Sequence, residues 1–201
     1  MSDDAFRVVT RLRQELNLSV DVGRRGPVLL NRFFEESAVT HVELPGLTRL
    51  AIAGYLRREG IDASDLSDAT DALAGFIFVA GRVGWAFVNA SEILPRRRFT
   101  AAHELGHFVL HRDCMGQAHA DTADSIELGD EAKVTAMERE ANHFAVELLM
   151  PREVCHARAD DLRNECGACP RGVLAYRLAA ELLVSGQTMR YRLANLEVGD
   201  E

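Results

Sequence analysis

Long apolar runs, positive charge and cysteine are all scarce in this chain, and each scarcity excludes something. The longest nearly apolar run, Ala72 to Gly81, falls well short of the ~20 residues that a membrane-spanning helix needs. The opening MSDDAFRVV is acidic and lacks the basic start and apolar core of an export signal. A cytoplasmic location is therefore expected, where the four cysteines are thiols or metal ligands rather than structural disulfides. Lys and Arg number 23 against 31 Asp and Glu, for a net charge of -8 and a pI near 5.4. Such a surface repels nucleic-acid phosphates unless the basic residues cluster, and it better suits a basic protein partner. No internal repeat and no low-complexity segment is visible. What is present is 47% hydrophobic and 27% charged residues in 201, the profile of a folded domain of ordinary size, with or without a small appendage.

Along the chain, residues 4–17 predict an amphipathic helix, with Phe6, Val9, Leu12 and Leu16 at helical spacing. Residues 18–45 are ambiguous, with turn signals at Gly23, Gly26-Pro27 and Pro45-Gly46. Residues 46–59 predict a second helix, stopped by Gly60, and 64–71 a polar connection. In LAGFIFVAGRVGWAFVNA, two β-branched and aromatic runs flank Gly81-Arg82 and Gly84, which predicts a β-hairpin. Arg96, Arg97 and Arg98 read as a solvated run that can also meet an acidic substrate or loop. Thr100 reads as the cap of the next helix.

That helix carries the chemistry. In FTAAHELGHFVLH, His103 and His107 are four positions apart and so project from one face, one turn from each other. Two imidazoles so placed can bind one zinc ion at ~2.0–2.1 Å each. Glu104, one position past the first, can reach a water on that ion without being a ligand. This is the H-E-x-x-H arrangement. His111 is a poor third ligand, because eight residues separate it from His103 by ~12 Å along a straight helix. It reads as a helix-end residue, favoured near the C-terminal pole when protonated, or as one that supports a ligand from behind.

A catalytic zinc takes three protein ligands and leaves one position for water. The segment EAKVTAMEREANHFAVELLMP, residues 131–151, has an apolar stripe of Val134, Met137, Ala141, Phe144, Ala145 and Leu148. On a wheel at ~100° per residue, Glu138 falls at the edge of that stripe, and Glu140 falls on the far side with Glu147. Glu138 is therefore the candidate third ligand. Asn142 lies one turn further on the same edge and can orient His103 or His107 through a hydrogen bond.

These two segments together, RFTAAHELGHFVLH and EREANHFAVELLMP, resemble the ImmA/IrrE family of zinc metallopeptidases. There H-E-L-G-H is followed by E-x-x-A-N-x-F-A-x-x-L-L-M-P, matched here by Glu138, Ala141, Asn142, Phe144, Ala145, Leu148, Leu149, Met150 and Pro151. The likeness is strongest over residues 73–151 and poor over the first 60. It implies zinc on His103, His107 and Glu138, with Glu104 as the catalytic carboxylate. It also implies an α+β fold: a minimal zincin-like core, its small antiparallel sheet packed on the active-site helix, with a C-terminal helical segment. The expected divisions are an N-terminal helical or irregular region at 1–70, the metallopeptidase core at 71–155 and the C-terminal segment at 156–201. The resemblance further implies a substrate, an XRE-type helix-turn-helix repressor cut in a stress or prophage response. Manganese or iron suits the same donors.

Several features stand outside the two motifs. Cys166 and Cys169 form a lone C-x-x-C, with Cys155 and Cys114 elsewhere. They are read as ordinary thiols, with a second zinc site or a redox switch as alternatives. The acidic stretch 112–130 reads as a solvated loop that can attract a basic substrate, and His119 within it and Tyr176 beyond read as non-catalytic. VLAYRLAAELLVSGQTMRYRLANL predicts two helices broken near Val184-Ser185-Gly186, with a local excess of Arg171, Arg177, Arg190 and Arg192. A packing element is the favoured reading of it over DNA binding. Two rivals to peptidase activity follow: a regulatory module that holds a repressor without cutting it, and a DNA-binding regulator using this segment.

Overall fold

A computed structural model describes residues 3–15, 20, 25–66, 68–114, 118–121, 135–167 and 169–198. In chain order the elements are α1 (Asp3–Glu15), α2 (Leu30–Glu36), β1 (Val39–Leu44), α3 (Arg49–Arg58), β2 (Gly75–Ala80), β3 (Val83–Asn89), α4 (Leu94–His111), β4 (Ala118–Asp121), α5 (Ala136–Leu149), α6 (Arg152–Cys166), α7 (Arg171–Leu182) and α8 (Gly186–Asn195). The fold is α+β, as expected.

The hairpin of β2 and β3 sets the layers. Successive side chains on a strand point to opposite faces. Ile77 and Val79 of β2, with Ala86 and Val88 of β3, enter the core that includes α4 and α5. Phe76, Phe78 and Phe87 enter a second cluster with Leu47, Ile52 and Leu56 around α3. The sheet is thus covered on both faces, which explains why β2 reads as a continuous apolar run rather than an alternating one. Gly84 belongs to β3 rather than to the turn, which is Gly81-Arg82.

Strand order is β1-β3-β2-β4, and here the expectation of a purely antiparallel sheet is corrected. β2 runs antiparallel to β3 and β4, but β1 pairs parallel to β3. The chain leaves β1 through α3, lays down β2 one place away, and the hairpin then returns β3 into the gap alongside β1. A parallel pair needs such a crossover connection, which no local pattern announces.

Two further expectations are revised. α4 starts at Leu94, so Thr100 is an interior residue and not the cap. Pro95 sits in the first turn, where its missing N–H costs no helical bond. Arg96, Arg97 and Arg98 are therefore helical. Arg97 pairs with Glu43 at 2.6 Å and Arg98 donates to the Val28 carbonyl at 2.9 Å, tying the helix start to β1 and the preceding segment. Part of the predicted 112–130 loop is strand β4, which extends the free edge of β2. Residues 115–117 and 122–134 of that segment and its continuation lie outside those described.

The C-terminal break is placed at Leu183, which takes a left-handed conformation. The Ser185 hydroxyl then caps α8 by accepting from Thr188 N. Leu174, Leu178, Leu182, Met189 and Leu193 join the same core as Val9 of α1 and Leu105 of α4. The polar helix α6, begun at Pro151, carries too weak an apolar stripe for the pattern to single out. No described helix is long and apolar enough to cross a membrane.

Candidate metal centre

α4 and α5 cross closely because Gly106 has no side chain. A Cβ there would stand 3.0–3.2 Å from the Phe144 side chain of α5. The crossing brings the start of α5 over the middle of α4. Thr135 caps α5, its hydroxyl accepting from Glu138 N at 3.3 Å, which holds Glu138 in the first turn.

His103 and His107 are fully buried, and their Nε2 atoms lie 3.0 Å apart. Glu138 presents one oxygen to each ring: Oε2 is 3.3 Å from His103 Nε2 and Oε1 is 3.3 Å from His107 Nε2. An ion held tetrahedrally at ~2.0–2.1 Å requires ligand atoms ~3.3 Å from each other. The two ring nitrogens and the Glu138 carboxylate approach that spacing, each nitrogen meeting a different oxygen, and one ligand atom from each residue lies within 4.8 Å of the other two, so the donor set of two nitrogens and one carboxylate is compatible with a small divalent cation. Among the described residues, this is the group of three or more His, Cys, Asp or Glu side chains close enough to share an ion. The convergence joins the three residues that the sequence singled out as ligands.

Glu104 is also fully buried. It follows His103 on α4 and lays its carboxylate against the first residue of β2. A Cβ at Gly75 would run into Glu104 Oε1 and come within 2.6 Å of Thr100 Cγ2. Glycine at 75 thus makes room for the carboxylate under the sheet. Two buried carboxylates, Glu104 and Glu138, sit on helices that share two imidazoles. Buried ionised groups are costly without opposite charge, and a cation at this cluster would be one source of it.

The supporting residues divide. Asn142 is buried, one turn beyond Glu138, where the wheel placed it. His111 is the last residue of α4 and is only 4% exposed. Its Nδ1 lies 3.2 Å from His107 Nδ1, and its Nε2 lies 2.9 Å from Glu140 Oε2. Sequence reasoning did not bring Glu140 to His111, because the wheel put it on the far face of α5. No signal within α5 shows that the end of α4 lies against that face.

Glu147 departs from the same wheel placement more sharply. It is 3% exposed rather than on an outer face, and it forms a forked pair with Arg192 at 2.8 and 2.7 Å. Arg192, fully buried, also donates to the Met150 carbonyl. Its charge is spent inside the protein. Of the four C-terminal arginines, Arg171 donates to the Val198 carbonyl, while Arg177 and Arg190 are exposed.

Cys155 is fully buried, and burial pushes its thiol up to about 11 despite nearby Arg192. Cys114 is exposed and Cys169 half-buried. The Cys166 side chain lies outside the described residues. Tyr176 is exposed on α7, and His119 falls on β4 with its side chain outside those described.

No curated protein matches the chain. A family model described as the IrrE N-terminal-like domain, Peptidase_M78, matches residues 58–194, more than half of its length and all of the ligand triangle. The buried triangle and this match together place the chain in the IrrE N-terminal-like domain family, a metallopeptidase family.

Proposed function

We propose that the chain is a zinc-dependent endopeptidase whose substrate is a protein, specifically a helix-turn-helix repressor of the XRE type cleaved in a stress or prophage response. The observation that carries the peptidase reading is the meeting of His103, His107 and Glu138 at 3.0–3.3 Å beside a buried Glu104. The choice of repressor rests on the family resemblance.

His103, His107 and Glu138 would hold the ion. When bound, zinc supplies Lewis-acid polarisation of the peptide carbonyl and a water of lowered pKa. Glu104 accepts the proton of the attacking water and returns it to the leaving amine, a general acid–base role worth ~10²–10⁴-fold. Gly75 keeps the Glu104 carboxylate in place by leaving the space that it fills. Burial of the whole group excludes bulk water and strengthens each charge interaction there.

The test is to incubate purified, metal-analysed protein with the product of a neighbouring repressor gene and to compare intact and cleaved masses with and without chelator. Cleavage that chelation stops, and that the Glu104→Gln variant lacks while still holding metal, is the expected result. Full activity in Glu104→Gln removes the catalytic role. An intact repressor that forms a stable complex with the protein instead supports the non-proteolytic binding module.

A further inference from the structure

We propose that Glu140 is a positioning residue of the metal centre, acting through His111 to fix which nitrogen of His107 faces the ion. The inference rests on the metal-centre reading and extends it to a carboxylate that neither motif contains.

The hydrogen count carries it. His107 turns Nε2 towards His103 and Glu138, so as a ligand it keeps a lone pair there and its hydrogen sits on Nδ1. That Nδ1 is 3.2 Å from His111 Nδ1, which must then accept. A neutral His111 that accepts at Nδ1 carries its hydrogen on Nε2, and Nε2 lies 2.9 Å from Glu140 Oε2. A carboxylate only accepts, so Glu140 selects this form of His111. Each hydrogen in the chain from His107 to Glu140 thus has one place. The reverse arrangement, with His111 donating to His107, puts the His107 hydrogen on Nε2, where it blocks ligation.

The burial pattern separates this from an ordinary surface pair. His111 is only 4% exposed and has both ring nitrogens engaged, one inward to a ligand and one outward. The Glu140 side chain is 52% exposed and anchors the outer end. Metal-ligating histidines commonly donate their second nitrogen to a carboxylate. Here an imidazole is interposed, which carries the link from a buried ligand to a carboxylate at the surface. α5 therefore serves the ion twice, with Glu138 directly and Glu140 through α4.

Glu140→Gln tests this without cutting into the core, because the side chain is half-exposed. Zinc affinity is measured by competition with a chromophoric chelator, and the ring tautomers of the zinc-loaded protein by nitrogen-15 NMR. The expected wild-type result is His107 with hydrogen on Nδ1 and His111 with hydrogen on Nε2. Glu140→Gln and His111→Phe should each weaken zinc by ~10–100-fold, and Glu140→Gln should lose the single His111 tautomer. The proposal is overturned if wild-type His111 holds its hydrogen on Nδ1, or if Glu140→Gln leaves the affinity unchanged. If the wild type binds no zinc at all, it is the metal-centre reading that fails.

Discussion

Helix α5 buries a carboxylate near each end, and the two are satisfied in opposite ways. Glu147 meets the guanidinium of Arg192 in a two-pronged pair, with a permanent positive charge supplied from within the chain. Glu138 faces two imidazoles, groups that as metal ligands bring no charge of their own. The first arrangement is complete without any guest. The second presents its oxygens to two ring nitrogens, the donor set that suits a cation. One helix thus carries the same residue type in an architectural pair at one end and in a candidate ion-binding cluster at the other. What decides between the two roles is the partner across the helix interface.

The largest expected effect would break the comparison at the ion-binding end. Glu138→Gln should take the protein from stoichiometric metal to none after dialysis, with the fold retained by circular dichroism. Metal content equal to wild type would remove Glu138 from the ligand set. At the other end, Arg192→Met strands a buried charge and should cost ~3–5 kcal/mol in urea unfolding, while metal binding survives. Adding Glu147→Leu should recover most of that loss. A single Arg192→Met variant of wild-type stability would show that the pair contributes nothing.

A smaller effect is expected at Gly75, where an added methyl meets Glu104 and Thr100. Gly75→Ala should cost ~1–3 kcal/mol through overpacking and depress turnover while leaving the ion bound. Unaltered turnover would mean that Glu104 tolerates displacement. The smallest effect concerns Cys155, which lies beside the architectural end. With its thiol at about 11, it should resist alkylation at pH 8 in the native protein and react once the chain is unfolded, whereas exposed Cys114 reacts in both states. Rapid native labelling of Cys155 would show that this end opens readily.

The convergence of the three candidate ligands was legible because the placement of each on its helix is local. His103 and His107 share a face by spacing alone, and Glu138 lies on a stripe edge that a wheel can find. Glu140 and Glu147 were misplaced by the same wheel for one reason: it describes a helix standing alone. The end of α4 lies against Glu140 and Arg192 of α8 reaches Glu147, contacts between elements far apart in sequence. β1 and its parallel pairing were missed for a related cause, since the pairing depends on a hairpin that folds back 40-odd residues later. The hairpin itself was legible from its strand residues and turn. The start of α4 was not, because three arginines looked like solvated loop while Pro95 in fact opens a helix.

Arg13 of α1 donates to the Glu147 and Leu148 carbonyls, where Arg192 of α8 grips the Glu147 carboxylate. The last turn of α5 is therefore a clasp between the two ends of the chain, fastened to an N-terminal helix through its backbone and to a C-terminal helix through a side chain.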